Sequence, residues 1–200
     1  MQIDSDLLEN AIKTQSDNPV FRLYGWSPKC ISLGRNQKDF CIYKEENIDC
    51  VRRLTGGRAL LHDNEITYSC VTPISKIPNG ETVIASYKYI SGILINFFKT
   101  LGIELDYGEN KKVSTHYEYC MLLSTGADVC FKGKKIIGSA QYRKEGYILQ
   151  HGSILFGYDK ELLERIFKEE VKGITTVKEI LPDINKEVFV RELEHYISQL

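Results

Sequence analysis

Three strand-like runs, 127–131, 135–143 and 147–156, are separated only by Lys132-Gly133-Lys134, with Lys132-Gly133 as the turn, and by Lys144-Glu145-Gly146. Connections this short join antiparallel neighbours, whereas a parallel crossover needs about a dozen residues or more. Any fold open to this chain therefore contains a three-stranded meander on which the rest must pack. The longest periodic segment, 81–101, sets Val83, Ile84, Tyr87, Ile90, Leu94, Phe97, Phe98 and Leu101 on one side of a helix and stops at Gly102. That spacing predicts a central helix laid against the sheet.

Shorter elements fill in around these two. Ile3, Leu7, Leu8, Ala11 and Ile12 recur at helical spacing, and Asn18-Pro19 closes that helix. Runs 20–24, 30–33, 49–53, 58–62, 66–71 and 103–107 read as strands, 108–119 as a polar loop, and 160–169, 176–181 and 186–199 as helices. Strands clustered in hairpins, with helices set apart, predict an α+β fold. We expect one domain over residues 1–200, with a central mixed, mostly antiparallel sheet flanked by helices.

Several function classes are excluded by composition. Lys and Arg number 26 against 27 Asp and Glu, a net charge of −1, which does not suit a dedicated nucleic-acid binder or a polybasic membrane anchor. No stretch reaches the roughly 18 apolar residues of a membrane span. Asp4, Asp6 and Glu9 stand where a secretory leader needs a basic start and an apolar run, so a cytoplasmic protein is expected. In that compartment the six cysteines, Cys30, Cys41, Cys50, Cys70, Cys120 and Cys130, stay reduced and mostly pack as small apolar residues. None forms a CxxC pair or a zinc-site spacing with His62, His116, His151 or His195, and no metal is expected.

Two stretches carry possible chemistry. In Arg52-Arg53-Leu54-Thr55-Gly56-Gly57-Arg58-Ala59-Leu60-Leu61-His62-Asp63, paired glycines let backbone amides approach a ligand and three arginines place positive charge beside them. That suits a phosphate or a polar carrier arm, and it suits equally a tight turn between strands with solvated arginines. Gly133-Lys134-Lys135-Ile136-Ile137-Gly138-Ser139-Ala140-Gln141 and Gln150-His151-Gly152-Ser153 fall on neighbouring strands. Their small residues leave room on the sheet for an extended or apolar ligand, or mark glycine bulges.

Together with Leu23 to Pro28, Ser32 to Gln37 and Glu65 to Ser69, these motifs resemble the biotin/lipoate protein ligase and lipoyl (octanoyl) transferase superfamily over roughly Asp4 to Phe156. The resemblance implies a class II synthetase/biotin ligase-like fold. Its cysteine-dependent octanoyltransferase branch has a cysteine upstream of the Gly-x-Lys strand, a place taken here by Cys120, 15 residues before Lys135. It departs from that branch in having Met121 after the cysteine instead of the usual Phe. Cys130, inside a strand, reads as packing.

The resemblance implies Cys120 and Lys135 as catalytic residues. Arg53, Thr55, Gly56, Gly57, Arg58, His62, Gly138, Ser139, Ala140, Gln141, His151, Gly152 and Ser153 are implied as substrate-binding. A nearby ammonium favours the thiolate, the attacking species in transthioesterification, and amides of 138–140 can hold the oxyanion. His62 and His151 either meet the donor's carbonyl or carrier arm or satisfy backbone carbonyls.

The implied reaction moves an octanoyl group from acyl carrier protein, through a Cys120 thioester, to a lysine of a lipoyl domain or of the glycine cleavage H protein. It uses no cofactor, and a monomer is expected. An ATP-dependent lipoate ligase is the alternative, with Lys135 holding the adenylate, and the short chain after Phe156 leaves little room for a ligase's accessory domain. An amidotransferase between lipoyl proteins and an inactive acyl-binding module are the other readings, and biotin ligase ranks below them.

Overall fold

The computed structural model describes residues 1–37, 48–108, 119–122 and 126–200. Helix α1 (Gln2–Thr14) leads into strands β1 (Val20–Tyr24), β2 (Cys30–Leu33), β3 (Asp49–Arg52), β4 (Leu60–His62) and β5 (Glu65–Pro73). Helix α2 (Val83–Thr100) follows, capped at its start by the Thr82 hydroxyl, which accepts from the Ala85 amide. Then come β6 (Asp106–Tyr107), β7 (Val129–Phe131), β8 (Lys134–Lys144) and β9 (Tyr147–Leu155), and helices α3 (Lys160–Phe167), α4 (Val177–Ile180) and α5 (Lys186–Ser198).

The expected meander is present as β7-β8-β9, and it anchors a six-stranded antiparallel sheet of order β1-β5-β9-β8-β7-β6. The parallel pairing anticipated for a mixed sheet lies elsewhere. A separate three-stranded sheet, β3-β2-β4, pairs β2 with β3 in parallel and with β4 antiparallel. The strand read over 103–107 shrinks to Asp106–Tyr107, because its partner β7 offers only three residues. The loop reading of 108–119 falls almost wholly outside the described residues, as do Cys41 and His116.

Alternation along β5 distributes the core. Ile66, Tyr68 and Cys70 face α2 and α5, where Phe97 meets Phe98 and Phe189 edge to face at 5.9 and 5.3 Å. Val71 and, on β9, Leu149 face the other way and cover Leu8 and Ala11 of α1. A further cluster joins the small sheet to α3 through Ile31, Leu33, Leu61, Tyr119, Met121, Leu163 and Phe167. Cys30, Cys70 and Cys130 are buried and Cys50 packs half-buried on this last cluster, as expected of inert thiols. Among the described residues no helix is long and apolar enough to cross a membrane.

Candidate active site

Cys120 opens a single 3₁₀ turn, Cys120–Leu122, pinned on both sides. Its amide donates to the Ala59 carbonyl at 2.9 Å, and the preceding Tyr119 stacks on Phe167 at 4.5 Å. The half-buried thiol stands where two cavities meet. An outer cavity of about 290 Å³ is lined by Gly56, Gly57, Arg58, Tyr87, Cys120, Asp128, Lys135, Ser139, Ala140 and Gln141. An inner one of about 30 Å³ shares Cys120, Ser139 and Ala140 and adds Ser32, Arg53, Leu60, His62, Thr67, Met121, Gly138, His151 and Gly152.

Lys135 sits on β8 with 2% exposure, and its ammonium donates to the Cys120 carbonyl at 3.2 Å and to Asp128 Oδ1 at 2.9 Å. The cation thus reaches the cysteine's backbone and carries a carboxylate that sequence reasoning missed. The segment after α3 grips the same residue. The Lys135 amide donates to the Gly173 carbonyl and its carbonyl accepts from Thr175, both at 2.9 Å.

Of the three arginines in the glycine loop, only Arg58 lines the outer cavity. Arg52 donates to the carbonyls of Gly34, Arg35 and Gln37. Arg53 is buried and shapes the loop from within, donating to the carbonyls of Gly56 and Arg58 and to Ser32. Gly57 has φ +92°, and a side chain there would stand 2.9 Å from Arg53 Nη2 and 4.0 Å from Cys120 Sγ, so loop, guanidinium and thiol converge. Burial lowers the Arg53 pKa while the neighbouring Cys120 charge works the other way.

Two relays leave Arg53 in opposite directions. On one side Arg53 Nε donates to the Thr55 hydroxyl at 3.2 Å, which meets His151 Nε2 at 2.7 Å, and His151 Nδ1 faces Asp4 Oδ2 at 3.4 Å. Burial depresses the His151 pKa despite the Asp4 hydrogen bond, so the neutral ring donates to Asp4 and accepts from Thr55. On the other side the Ser32 hydroxyl stands between Arg53 Nη1 at 3.1 Å and His62 Nε2 at 2.7 Å, and His62 Nδ1 meets Glu65 at 3.0 Å. Thr67 and Ser153 also donate to Glu65, and Trp26 stacks on His62 at 4.3 Å. The ring nitrogens of both histidines thus meet side chains rather than backbone carbonyls, while both rings line the inner cavity.

These relays place Thr55 and Ser153 behind the site; neither is among the described residues that line these two cavities, although both were expected to touch substrate. The remaining sequence-expected residues do line one or both. The small residues leave less room than their size implies. A side chain on Gly152 would stand 2.5 Å from the Gly138 carbonyl and 2.6 Å from Tyr68, and one on Gly138 would meet Met121 Sδ at 2.6 Å. Protein fills those hollows.

On the outer side burial pushes the Tyr87 phenol up, and the Gln141 amide donates to it. Because strand residues alternate, the Ser139 amide shares that outward edge while the amides between face β9. Of the amides of 138–140, Ser139 N–H is therefore the one on the same side as the Gln141 amide.

Two cavities that meet at one cysteine, on an antiparallel sheet flanked by helices, make up the candidate site. The chain belongs to the lipoyl protein ligase A/B catalytic domain family, whose model matches residues 1–198 and so takes in the C-terminal helices as well. It is 40% identical over 173 residues to the octanoyltransferase LipM of Carboxydothermus hydrogenoformans, covering 84% of this chain and 64% of that one. The octanoyltransferase LipM of Staphylococcus aureus is 40% identical over 182 residues, with 84% and 64% covered. The chain therefore spans just under two thirds of these relatives' length. The crystal structure of a lipoate-protein ligase A bound with ATP superposes with a TM-score of 0.74 at 22% identity, covering 96% of this chain and 77% of that one, which shows the fold.

Proposed function

We propose that the protein is an octanoyltransferase of lipoate assembly that carries the acyl group on Cys120. The observation that supports this reading most is the half-buried thiol at the junction of an outer cavity of about 290 Å³, room for a carrier arm or a lysine side chain, and a much smaller inner one. The similarity to octanoyltransferases points the same way.

The donor is an octanoyl thioester of acyl carrier protein, and no ATP or other cofactor is needed because a thioester is already activated. The Cys120 thiolate attacks the thioester carbonyl carbon. Charge gathers on the carbonyl oxygen beside the Ser139 amide, then the carrier's sulfur leaves and takes up a proton, and octanoyl-Cys120 remains. Lys135, donating to the Cys120 carbonyl, holds the turn that carries the nucleophile in place for attack. In the second half the neutral ε-amine of a lysine on a lipoyl domain or glycine cleavage H protein attacks the acyl-cysteine. The amine's proton is lost, the amide forms and the thiolate is regenerated.

Intact mass spectrometry after mixing with octanoyl-acyl carrier protein is expected to show one added octanoyl group, absent from Cys120→Ser. Full turnover by Cys120→Ser would sink the thioester route. Transfer that required free lipoate or octanoate with ATP would identify a ligase instead, and a lipoyl-protein donor outpacing the carrier would identify an amidotransferase.

A further inference from the structure

The inner cavity holds about 30 Å³, room for about two water molecules and far too little for an eight-carbon chain. An acyl group on Cys120 enters only if a wall gives way. Most walls are tied. Arg53 is hydrogen-bonded to Ser32, Thr55, Gly56 and Arg58, His62 is held by Ser32 and Glu65, and His151 by Thr55 and Asp4. Thr67 is fixed between Glu65 and Trp26, and Ser139 shares a 2.7 Å hydrogen bond with Tyr68. Gly138, Ala140 and Gly152 are backbone-paired between β8 and β9.

Two apolar side chains remain, Leu60 and Met121. Leu60 sits on β4, paired with Ser32 of β2, and its branched side chain has two rotatable bonds. Met121 follows the nucleophile on the same turn, is 1% exposed, and lays its sulfur over Gly138. An unbranched thioether with three rotatable bonds and no polar tie re-packs most readily.

We propose that the Met121 side chain fills the acyl site of the resting enzyme and is turned aside by the incoming chain. Met121 is then the specificity-determining residue for chain length, because the space it yields is the space the acyl group gains. This rests on the acyltransferase reading above.

The chain has two methionines, Met1 and Met121, so protein labelled with ¹³C at the methionine methyls gives one informative signal. On acylation with octanoyl-pantetheine, verified by intact mass, the Met121 signal is expected to move and its Overhauser contacts to Gly138 to be replaced by contacts to the octanoyl methylenes. An octanoyl-enzyme in which the Met121 signal and its Gly138 contacts are unchanged overturns the proposal and leaves the transferase reading standing. A wild-type enzyme that accepts no acyl group from octanoyl-pantetheine or octanoyl-carrier protein overturns both.

A donor series from four to twelve carbons gives the second measurement. Met121→Ala should raise acylation of the twelve-carbon donor relative to the eight-carbon one by about tenfold, the scale of a methylene-sized change in an apolar pocket. Met121→Ile, similar in volume but branched at Cβ and stiff at χ1, should lower the eight-carbon rate relative to the four-carbon rate by about the same factor. Variants that scale all chain lengths equally overturn the assignment.

Discussion

Replacing Asp4 with Asn removes one buried charge at constant shape. Asp4 is 1% exposed on α1 and accepts from Arg22 Nη1 and the Tyr24 hydroxyl, each at 2.7 Å, and from His151. Burial alone would raise its pKa, but hydrogen bonds from His151 and Tyr24 outweigh it and bring the carboxyl from 3.8 to about 2. At about 1.36 kcal/mol per pH unit, ionised Asp4 favours the folded chain by about 2.4 kcal/mol.

Because the folded value is the lower one, that contribution is complete above about pH 5, about half remains at pH 3, and it is gone below the folded value. Arg22 is 26% exposed and can turn to water when the charge is removed, so little further cost is added. Urea unfolding should therefore find Asp4→Asn about 2 kcal/mol less stable at pH 7, with a melting temperature lower by about 4–8 °C. Asp4's own share of the gap should shrink to about half by pH 3. Asp4 also opposes the burial that holds His151 neutral, so below His151's ordinary 6.5 the variant loses more than the wild type as the unfolded chain gains a proton, and this works against the narrowing. A gap absent at pH 7 refutes the account.

Lys135→Met should lower octanoyl transfer by about 100-fold or more and destabilise the fold by about 3–5 kcal/mol by removing the ammonium that faces the buried Asp128 carboxylate; adding Asp128→Asn should recover the stability in denaturant melts but not the activity. Gly152→Ala forces a methyl against the Gly138 carbonyl and Tyr68, and thermal unfolding should register a loss of about 1–3 kcal/mol. Burial pushes the Cys30 thiol up to about 11 and Cys70 up to about 12, so iodoacetamide at pH 8 should modify Cys120 while peptide mapping finds these two unlabelled.

The meander was legible because its turns are too short for any other pairing, and β8 and β9 run within a residue or two of the expected limits. The parallel contact of β2 with β3 has no local signature, since nothing in Cys30–Leu33 or Asp49–Arg52 announces a distant partner. The motif residues did gather at one place, yet their roles shifted. Arg53 and Thr55 shape the loop and the relays, and do so through Asp4, Ser32 and Glu65, single residues scattered along the chain with no pattern to mark them. One signal was available. Asp4 lies one and two helical turns before Leu8 and Ala11, on the apolar face of α1, where a carboxylate needs partners. Met121 stood out only as a departure from the usual neighbour of the cysteine, and its place over Gly138 emerges only from the folded chain.

The grip of Gly173 and Thr175 on Lys135 also bears on how the protein is made. Translation delivers Cys120, Lys135 and the glycine loop before residues 173–175. Until those residues emerge β8 lacks the segment that pairs with the backbone of Lys135. The surroundings of the buried ammonium are thus completed after every motif residue has been made, and a chain that already displays all the motifs has not yet assembled the site.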